Sequence, residues 1–136
     1  MPVRKILVVD DDETLRESLV EQLSLYEEFE TSQEGTATAG VQRARSEPTD
    51  LVIMDIRMPG LNGVETYLEI KKISPNSRVV MMTGFSVEEL VTQALEEGVF
   101  AVLYKPLPVE QVLDILKSGE PTDDTKKMQD PIIGQP

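Results

Sequence analysis

Short apolar runs alternate along the chain with segments in which apolar residues recur every three or four positions. Four runs are continuous and rich in Val, Ile, Leu and Met, and they cover residues 6–9, 51–54, 79–82 and 100–104. A fifth, more polar run lies around Phe29. Continuous apolar runs of this length are typical of strands that are buried on both faces of a sheet.

The segments between the runs predict five helices. Their apolar residues at helical spacing are Leu15, Leu19 and Leu23; Ala37, Val41 and Ala44; Val64, Tyr67 and Leu68; Val87, Leu90, Val91, Ala94 and Leu95; and Val109, Val112, Leu113 and Leu116. Strand followed by helix, five times over, indicates an α/β fold with a doubly wound parallel sheet and helices on both faces. The polar second strand belongs at an edge, which fits the flavodoxin-like strand order 2-1-3-4-5.

The composition excludes several kinds of protein. The chain has 136 residues, which suits one domain, and it contains no cysteine and no histidine. Disulfides, zinc–thiolate sites, imidazole bases and a phosphohistidine of its own are therefore excluded. No run is long enough to cross a membrane and the first residues lack the pattern of a signal peptide, so we expect a cytoplasmic protein.

The net charge bears on the choice of partner. It is −12, from 25 acidic and 13 basic residues, and no basic stripe offsets it. Such a chain repels the phosphates of nucleic acids. We therefore predict that this chain does not bind nucleic acid directly.

Polar residues follow four of the five predicted strands. Asp10 and Asp11 follow the first strand, Asp55 the third, Thr83 the fourth and Lys105 the fifth. The carboxyl ends of parallel strands lie along one edge, and ligands bind where the strand order reverses, here between the first and third strands. We therefore expect the three aspartates to meet, with the threonine and the lysine beside them.

This combination of groups favours phosphoryl chemistry. Three adjacent carboxylates repel one another, and magnesium (Mg²⁺) would relieve the repulsion because it prefers carboxylate, water and phosphate oxygens. Without His or Cys, an all-oxygen site is the metal site that this chain can build. Lys105 adds a positive charge and Thr83 a hydroxyl donor, so that Asp55 is placed to be phosphorylated.

Each of these residues also has a purely structural interpretation when it is taken alone. We predict that Asp12 caps the first helix. Asp10 and Asp11 are compatible with turn positions, Thr83 with a strand-end hydroxyl bonded to the backbone, and Lys105 with an ordinary surface lysine. The joint occurrence of complementary groups at four strand ends favours a site.

The motifs "ILVVDDD", "DLVIMDIRMPGLNG", "VVMMTG" and "LYKP" occur in this order. Together they resemble the receiver domain of two-component response regulators, over about residues 4–117. The resemblance implies a receiver domain over residues 1–118 that acts as a signalling switch. It implies no enzyme beyond the phosphorylation and dephosphorylation of the domain itself. Asp55 would accept a phosphoryl group from the phosphohistidine of a sensor histidine kinase or phosphotransfer protein.

The resemblance also implies roles for the other site residues. Asp11 and Asp55 would ligate Mg²⁺ directly, Asp10 chiefly through water, and the backbone carbonyl of Arg57 would be a further ligand. Thr83 and Lys105 would contact the bound phosphoryl group. In the family the peptide bond before the corresponding proline is usually cis, and the sequence leaves the state of the Lys105–Pro106 bond open.

One position departs from the family pattern. Val102 stands three residues before Lys105, where the family carries a switch aromatic, and a valine has no ring to swing inward. The resemblance therefore implies a switch that works through Thr83 and the loop 84–87. Its output face would be the fourth helix, the fifth strand and the fifth helix, which is also the face for a homodimer. We interpret Tyr104 as a packing residue.

Two other functions are compatible with parts of the sequence. "VVDDDET" matches the first motif of haloacid-dehalogenase-type phosphatases, with Asp10 as nucleophile, Asp12 as general acid, and Thr83 and Lys105 in later motifs. That family needs a later acidic pair after a strand, and the pair at 123–124 has no strand before it. An interaction module that is no longer phosphorylated would predict a damaged acidic cluster, whereas every expected group is present.

The last residues differ in composition from the rest of the chain. Residues 119–136 are rich in Pro, Asp and Lys and have no apolar periodicity. We expect a disordered tail or a linker to an effector domain, and the sequence leaves both open.

Overall fold

The computed structural model describes residues 4–58, 63–84, 88–105 and 107–117. Several predictions lie outside these residues: the Lys105–Pro106 bond, the loop after Gly84, Val87 and the tail at 119–136. Strands and helices alternate in the order β1 Arg4–Val9, α1 Glu13–Leu23, β2 Phe29–Glu34, α2 Ala37–Ser46, β3 Leu51–Asp55, α3 Gly63–Ile73, β4 Arg78–Thr83, α4 Glu88–Glu97, β5 Ala101–Tyr104 and α5 Val109–Lys117. Within the described residues, no helix has the length and hydrophobicity needed to cross a membrane.

The five strands form one parallel sheet in the order β2-β1-β3-β4-β5. The predicted strand order and the edge position of β2 are therefore confirmed. All five residues of β3, in the middle of the sheet, are buried, whereas no residue of β2 is fully buried. This contrast follows from position, because a central strand is covered on both faces and an edge strand is not.

The core lies on both faces of the sheet, between the strands and the helices. Helices α1 and α5 contact each other, and α2, α3 and α4 pack in a row. Aliphatic side chains and methionines fill the interior, and the largest that are fully buried include Leu7, Ile53, Met54, Met81 and Ile115. This packing holds the carboxyl ends of the strands in fixed register.

The predicted buried face of α3 is wrong at one residue. Leu68 is 36% exposed, while Val64, Tyr67 and Ile70 are buried. The buried face of α3 consists of Gly63, Val64, Thr66, Tyr67 and Ile70, and Leu68 lies beside it. In α4, Val91 and Ala94 are buried and Leu90 and Leu95 are partly buried, as predicted.

The prediction that Asp12 caps α1 is confirmed. Its carboxylate Oδ1 accepts a hydrogen bond of 3.1 Å from the backbone N–H of Leu15. A cap of this kind contributes about 0.5–2 kcal/mol to stability. It also fixes where α1 begins, directly after Asp10 and Asp11 at the end of β1.

Candidate functional site

Four predicted site residues lie at the carboxyl edge of the sheet. Asp10 follows β1, Asp55 ends β3, Thr83 ends β4 and Lys105 follows β5. The register aligns these ends, since the last residue of β1 pairs with the residue before Asp55, and Thr83 pairs with the residue before Lys105. Asp10, Asp55 and Thr83 are 1%, 8% and 2% exposed, so these three polar residues are buried.

Three carboxylates come together at this edge, as predicted. Asp10, Asp11 and Asp55 each offer one carboxylate oxygen, and these atoms all lie within 4.8 Å of one another. Asp11 is exposed, whereas Asp10 and Asp55 are buried. The cluster therefore has two buried members and one that faces solvent.

Lys105 lies between the two buried carboxylates. Its Nζ is 2.8 Å from Asp10 Oδ2 and 2.7 Å from Asp55 Oδ2, and its side chain is 13% exposed. Its backbone N–H donates to the carbonyl of Thr83 at 2.9 Å. One lysine therefore connects the ends of β1, β3, β4 and β5.

Backbone N–H groups hold the remaining oxygens of the two buried carboxylates. Asp10 Oδ1 accepts from the N–H of Asp12 at 2.9 Å, and Asp55 Oδ1 accepts from the N–H of Arg57 at 2.9 Å. In each buried carboxylate, one oxygen therefore accepts a hydrogen bond from a main-chain N–H and the other contacts Lys105 Nζ. Both carboxylates are thereby fixed in orientation.

The electrostatics of the edge leave negative charge in excess. Burial raises the pKa of Asp55, and its bonds from Lys105 and from the Arg57 N–H do not fully offset this effect. Burial by itself would lower the pKa of Lys105, but its hydrogen bonds to Asp10 and Asp55 raise it overall. The lysine therefore stays charged at neutral pH, and its ammonium contacts two of the three carboxylates, those of Asp10 and Asp55.

The donor set suits a hard divalent cation. Asp10, Asp11 and Asp55 supply only oxygen atoms, and a cation would relieve the repulsion among these adjacent carboxylates. Mg²⁺ and Ca²⁺ prefer such ligands, whereas softer metals favour nitrogen and sulfur donors. The residues present therefore fit Mg²⁺, as the sequence predicts.

A close contact between Gly63 and Ile56 holds the main chain next to the acid cluster. The N–H of Gly63 donates to the carbonyl of Ile56 at 2.7 Å, and a Cβ at residue 63 would lie 2.6 Å from the Cα of Ile56. Only glycine fits this position. Gly63 therefore ties the start of α3 to the main chain directly after Asp55.

Val102, which stands where the family carries a switch aromatic, is part of the core. Val102 is fully buried in β5, where it pairs with Met81 of β4. Tyr104, two residues later, is partly buried and packs against the core, as its interpretation as a packing residue predicts.

Sequence reasoning missed Arg16, which reaches the site from α1. Its Nη1 donates to the carbonyl of Asp10 at 2.9 Å, and its Nε donates to Gln33 Oε1 at 2.7 Å. The only signal in the sequence is an arginine in an otherwise acidic first helix, which does not identify a partner.

Comparison with known proteins gives one consistent family. The family model of the response regulator receiver domain matches residues 6–117. The chain is 37% identical over 112 residues to the transcriptional regulatory protein LnrK of Bacillus subtilis, covering 80% of this chain and 50% of LnrK. The chain thus spans about half the length of this curated relative.

Solved structures share the fold. A CheY-like receiver domain protein from Methanospirillum hungatei superposes with a TM-score of 0.78 at 28% identity, over 92% of this chain and 98% of that one. A response regulator from Burkholderia pseudomallei, solved with a phosphorylated aspartic acid, calcium ion and citrate, gives 0.80 at 21% identity, over 91% of this chain and 69% of that chain. At that identity the second likeness shows the fold alone. Because the family model spans nearly the whole sheet and its last helix, the chain belongs to the response regulator receiver domains of two-component signalling.

Proposed function

We propose that this chain is a phosphorylation-dependent switch in which Asp55 accepts a phosphoryl group from the phosphohistidine of a sensor histidine kinase or phosphotransfer protein. One observation carries the proposal: three carboxylates and one ammonium meet at the carboxyl edge of the sheet, with Lys105 Nζ 2.7 Å from Asp55 Oδ2. A nucleophilic carboxylate beside an ammonium suits phosphoryl transfer, since the transferred group carries negative charge on its oxygens.

The transfer is a displacement at phosphorus. A carboxylate oxygen of Asp55 forms a new P–O bond while the P–N bond to the donor imidazole breaks, and the electron pair of that bond stays on the nitrogen. The N–H of Arg57 holds Asp55 Oδ1, so the Oδ2 beside Lys105 is the reacting oxygen. Lys105 then transfers its contact from Asp55 to a phosphoryl oxygen, and the hydroxyl of Thr83 donates to another.

Asp10, Asp11, Asp55 and the backbone carbonyl of Arg57 are the groups that would hold Mg²⁺. When bound, the ion neutralises negative charge on the carboxylates and on the phosphoryl oxygens. Asp10 is fixed by the N–H of Asp12 and by Lys105, which suits a ligand that acts through water. Asp11 is the exposed carboxylate, which suits direct ligation.

The response would pass to the face formed by α4, β5 and α5. Thr83 ends β4, from which the chain continues to α4, and Lys105 follows β5, four residues before α5 begins at Val109. A contact of either residue with the phosphoryl group therefore acts on this face. Phosphorylation would shift an existing equilibrium by adding charge at Asp55, and the same face would bind a partner, an attached domain or a second copy of the chain.

The comparisons do not support the alternative of a haloacid-dehalogenase-type phosphatase. That function needs Asp10 as the nucleophile. Asp10 is 1% exposed against 8% for Asp55, so a phosphodonor reaches the carboxylate of Asp10 less readily. Its environment therefore suits an orienting role, and Asp55 is the better nucleophile.

The test is chemical labelling without a kinase. The chain is incubated with acetyl phosphate and Mg²⁺, and intact mass follows the gain of one phosphoryl group. We expect the parent to be labelled and Asp55→Asn to remain unlabelled. Asp114→Asn, which changes an exposed aspartate of α5, is the matched control and should be labelled at the rate of the parent. Equal labelling of Asp55→Asn and the parent would overturn the proposal.

A further inference from the structure

Arg16 is a half-buried residue in the second turn of α1, and its guanidinium group joins three elements. Nη1 donates to the carbonyl of Asp10 after β1, and Nε donates to Gln33 Oε1 in β2. A Cβ on Gly35 would lie 3.0 Å from the same Nη1, so the guanidinium also lies close to Gly35, directly after β2.

The carbonyl that Arg16 binds belongs to the peptide unit that joins Asp10 to Asp11. A peptide unit is planar, so fixing its carbonyl fixes the direction in which the chain leaves β1. On the other side of this unit the carboxylate of Asp10 accepts from the N–H of Asp12 and contacts Lys105. A rotation of the unit would therefore disturb both aspartates at once.

We propose that Arg16 is a positioning residue for the acidic site, which acts through the Asp10–Asp11 peptide and contacts neither the ion nor the phosphoryl group. This role of Arg16 rests on the proposed function of the acidic site. By holding this peptide, Arg16 keeps Asp10 against Lys105 and points Asp11 toward Asp55.

The chemistry of arginine explains why this residue type is needed. Its planar guanidinium directs N–H groups at two acceptors on different elements, Asp10 and Gln33, whereas the single ammonium of a lysine does not reproduce this fork. It also brings a positive charge to within 2.9 Å of the main chain that carries the acid cluster. We therefore expect a lysine to replace it only in part.

The experiment compares Arg16→Met, Arg16→Lys and the parent, with Arg45→Met as the matched control for an exposed arginine on α2. Two readouts are independent of phosphorylation. Amide hydrogen exchange at Asp12 reports its bond to Asp10 Oδ1, and an NMR titration with MgCl₂ gives the dissociation constant of the ion.

We expect Arg16→Met to weaken Mg²⁺ binding about tenfold, the lower range for groups that orient metal ligands. Exchange at Asp12 should become faster, Arg16→Lys should be intermediate, and Arg45→Met should match the parent. If Arg16→Met lowers the Tm but leaves both the dissociation constant and the exchange at Asp12 unchanged, Arg16 is merely structural and the inference fails.

Two further controls keep the result decisive. If Arg16→Met does not fold, Gln33→Leu removes only the second acceptor, and it should change both readouts in the same direction by a smaller factor. Unchanged readouts in that variant would overturn the inference. If the parent is not labelled at Asp55, the proposed function fails, while exchange at Asp12 still decides the role of Arg16.

Discussion

At the carboxyl edge of the sheet three aspartates lie together beside Lys105, whereas at the amino edge two arginines reach the last turn of α5. Arg4, at the start of β1, donates from Nη1 to the carbonyl of Leu116 at 3.1 Å. Arg78, at the start of β4, donates from Nη1 to the carbonyl of Ile115 at 2.6 Å. Both carbonyls belong to the last turn of α5, where the helix itself provides no donor.

The amino edge also holds the end of α4. The hydroxyl of Tyr67 donates to the carbonyl of Glu97, the last residue of α4, at 3.2 Å. The guanidinium of Arg78 stacks over the ring of Phe100 at 4.4 Å from its centre. Cations and donors at the negative ends of helices are stabilising, so the side chains of this edge contribute to stability.

The carboxyl edge has the opposite balance. The carboxylates of Asp10, Asp11 and Asp55 lie together, the ammonium of Lys105 contacts two of them, and burial raises the pKa of Asp55. Repulsion among adjacent carboxylates is unfavourable unless a cation relieves it. We therefore expect the arginines of the amino edge to contribute more to stability than the charges of the acid cluster.

The largest effect is expected from the main chain of the carboxyl edge. Gly63→Ala would place a Cβ 2.6 Å from the Cα of Ile56, where no flexible side chain can yield. We expect a loss of about 3 kcal/mol, because overpacking against backbone forces the main chain to shift. Urea unfolding measures it. Gly84→Ala is the control, since its Cβ would make only an ordinary contact of 3.9 Å with Lys105; an equal loss in both variants would contradict the prediction.

A smaller effect is expected from the amino edge. Arg78→Met removes the charged donor to the carbonyl of Ile115 and the stacking on Phe100, and we expect a loss of about 2 kcal/mol. The rate of labelling by acetyl phosphate should stay the same, because the edge is remote from the acid cluster. Urea unfolding and intact mass provide the two measurements. A Tm and unfolding midpoint equal to those of Arg45→Met would show that this arginine does not stabilise the fold.

The smallest effect is expected to have the opposite sign. Asp11→Asn removes one repelling carboxylate, and we expect the metal-free protein to gain about 0.5 kcal/mol, as for other exposed charges. Addition of Mg²⁺ should raise the Tm of the parent but hardly that of the variant, because the variant lacks a ligand. Thermal unfolding with and without MgCl₂ measures both. Asp114→Asn, at an exposed aspartate of α5, is the control. If metal-free Asp11→Asn has a lower Tm than metal-free Asp114→Asn, the contrast between the two edges is contradicted.

Much of the fold and of the site is predictable from the sequence. The apolar runs place β1, β3, β4 and β5, and because parallel strands align their carboxyl ends, the residues after them predict the meeting of Asp10, Asp11, Asp55 and Lys105. The strand order itself came from resemblance to known α/β folds. The order decides which strand ends are neighbours, so the site prediction depended on it.

Other features depend on contacts that local patterns do not encode. The bonds of Arg4 and Arg78 to α5 join residues separated by 112 and 37 positions. The error at Leu68 arose because Leu68 lies four residues after Val64 and fits a helical stripe as well as Tyr67 does, and the sequence alone does not say which of the two faces the sheet. Arg16 was missed because its partner is a main-chain carbonyl, which no side-chain motif marks.

The two outer strands of the sheet bear on how copies of this chain meet. β2 is a polar strand, "FETSQE", with charged Glu30 and Glu34, and β5 has only four residues. Charged and short outer strands discourage the addition of a strand from another molecule. Concentrated solutions of the protein should therefore resist fibrous aggregation, and any dimer is expected to form through helix surfaces rather than by extension of the sheet.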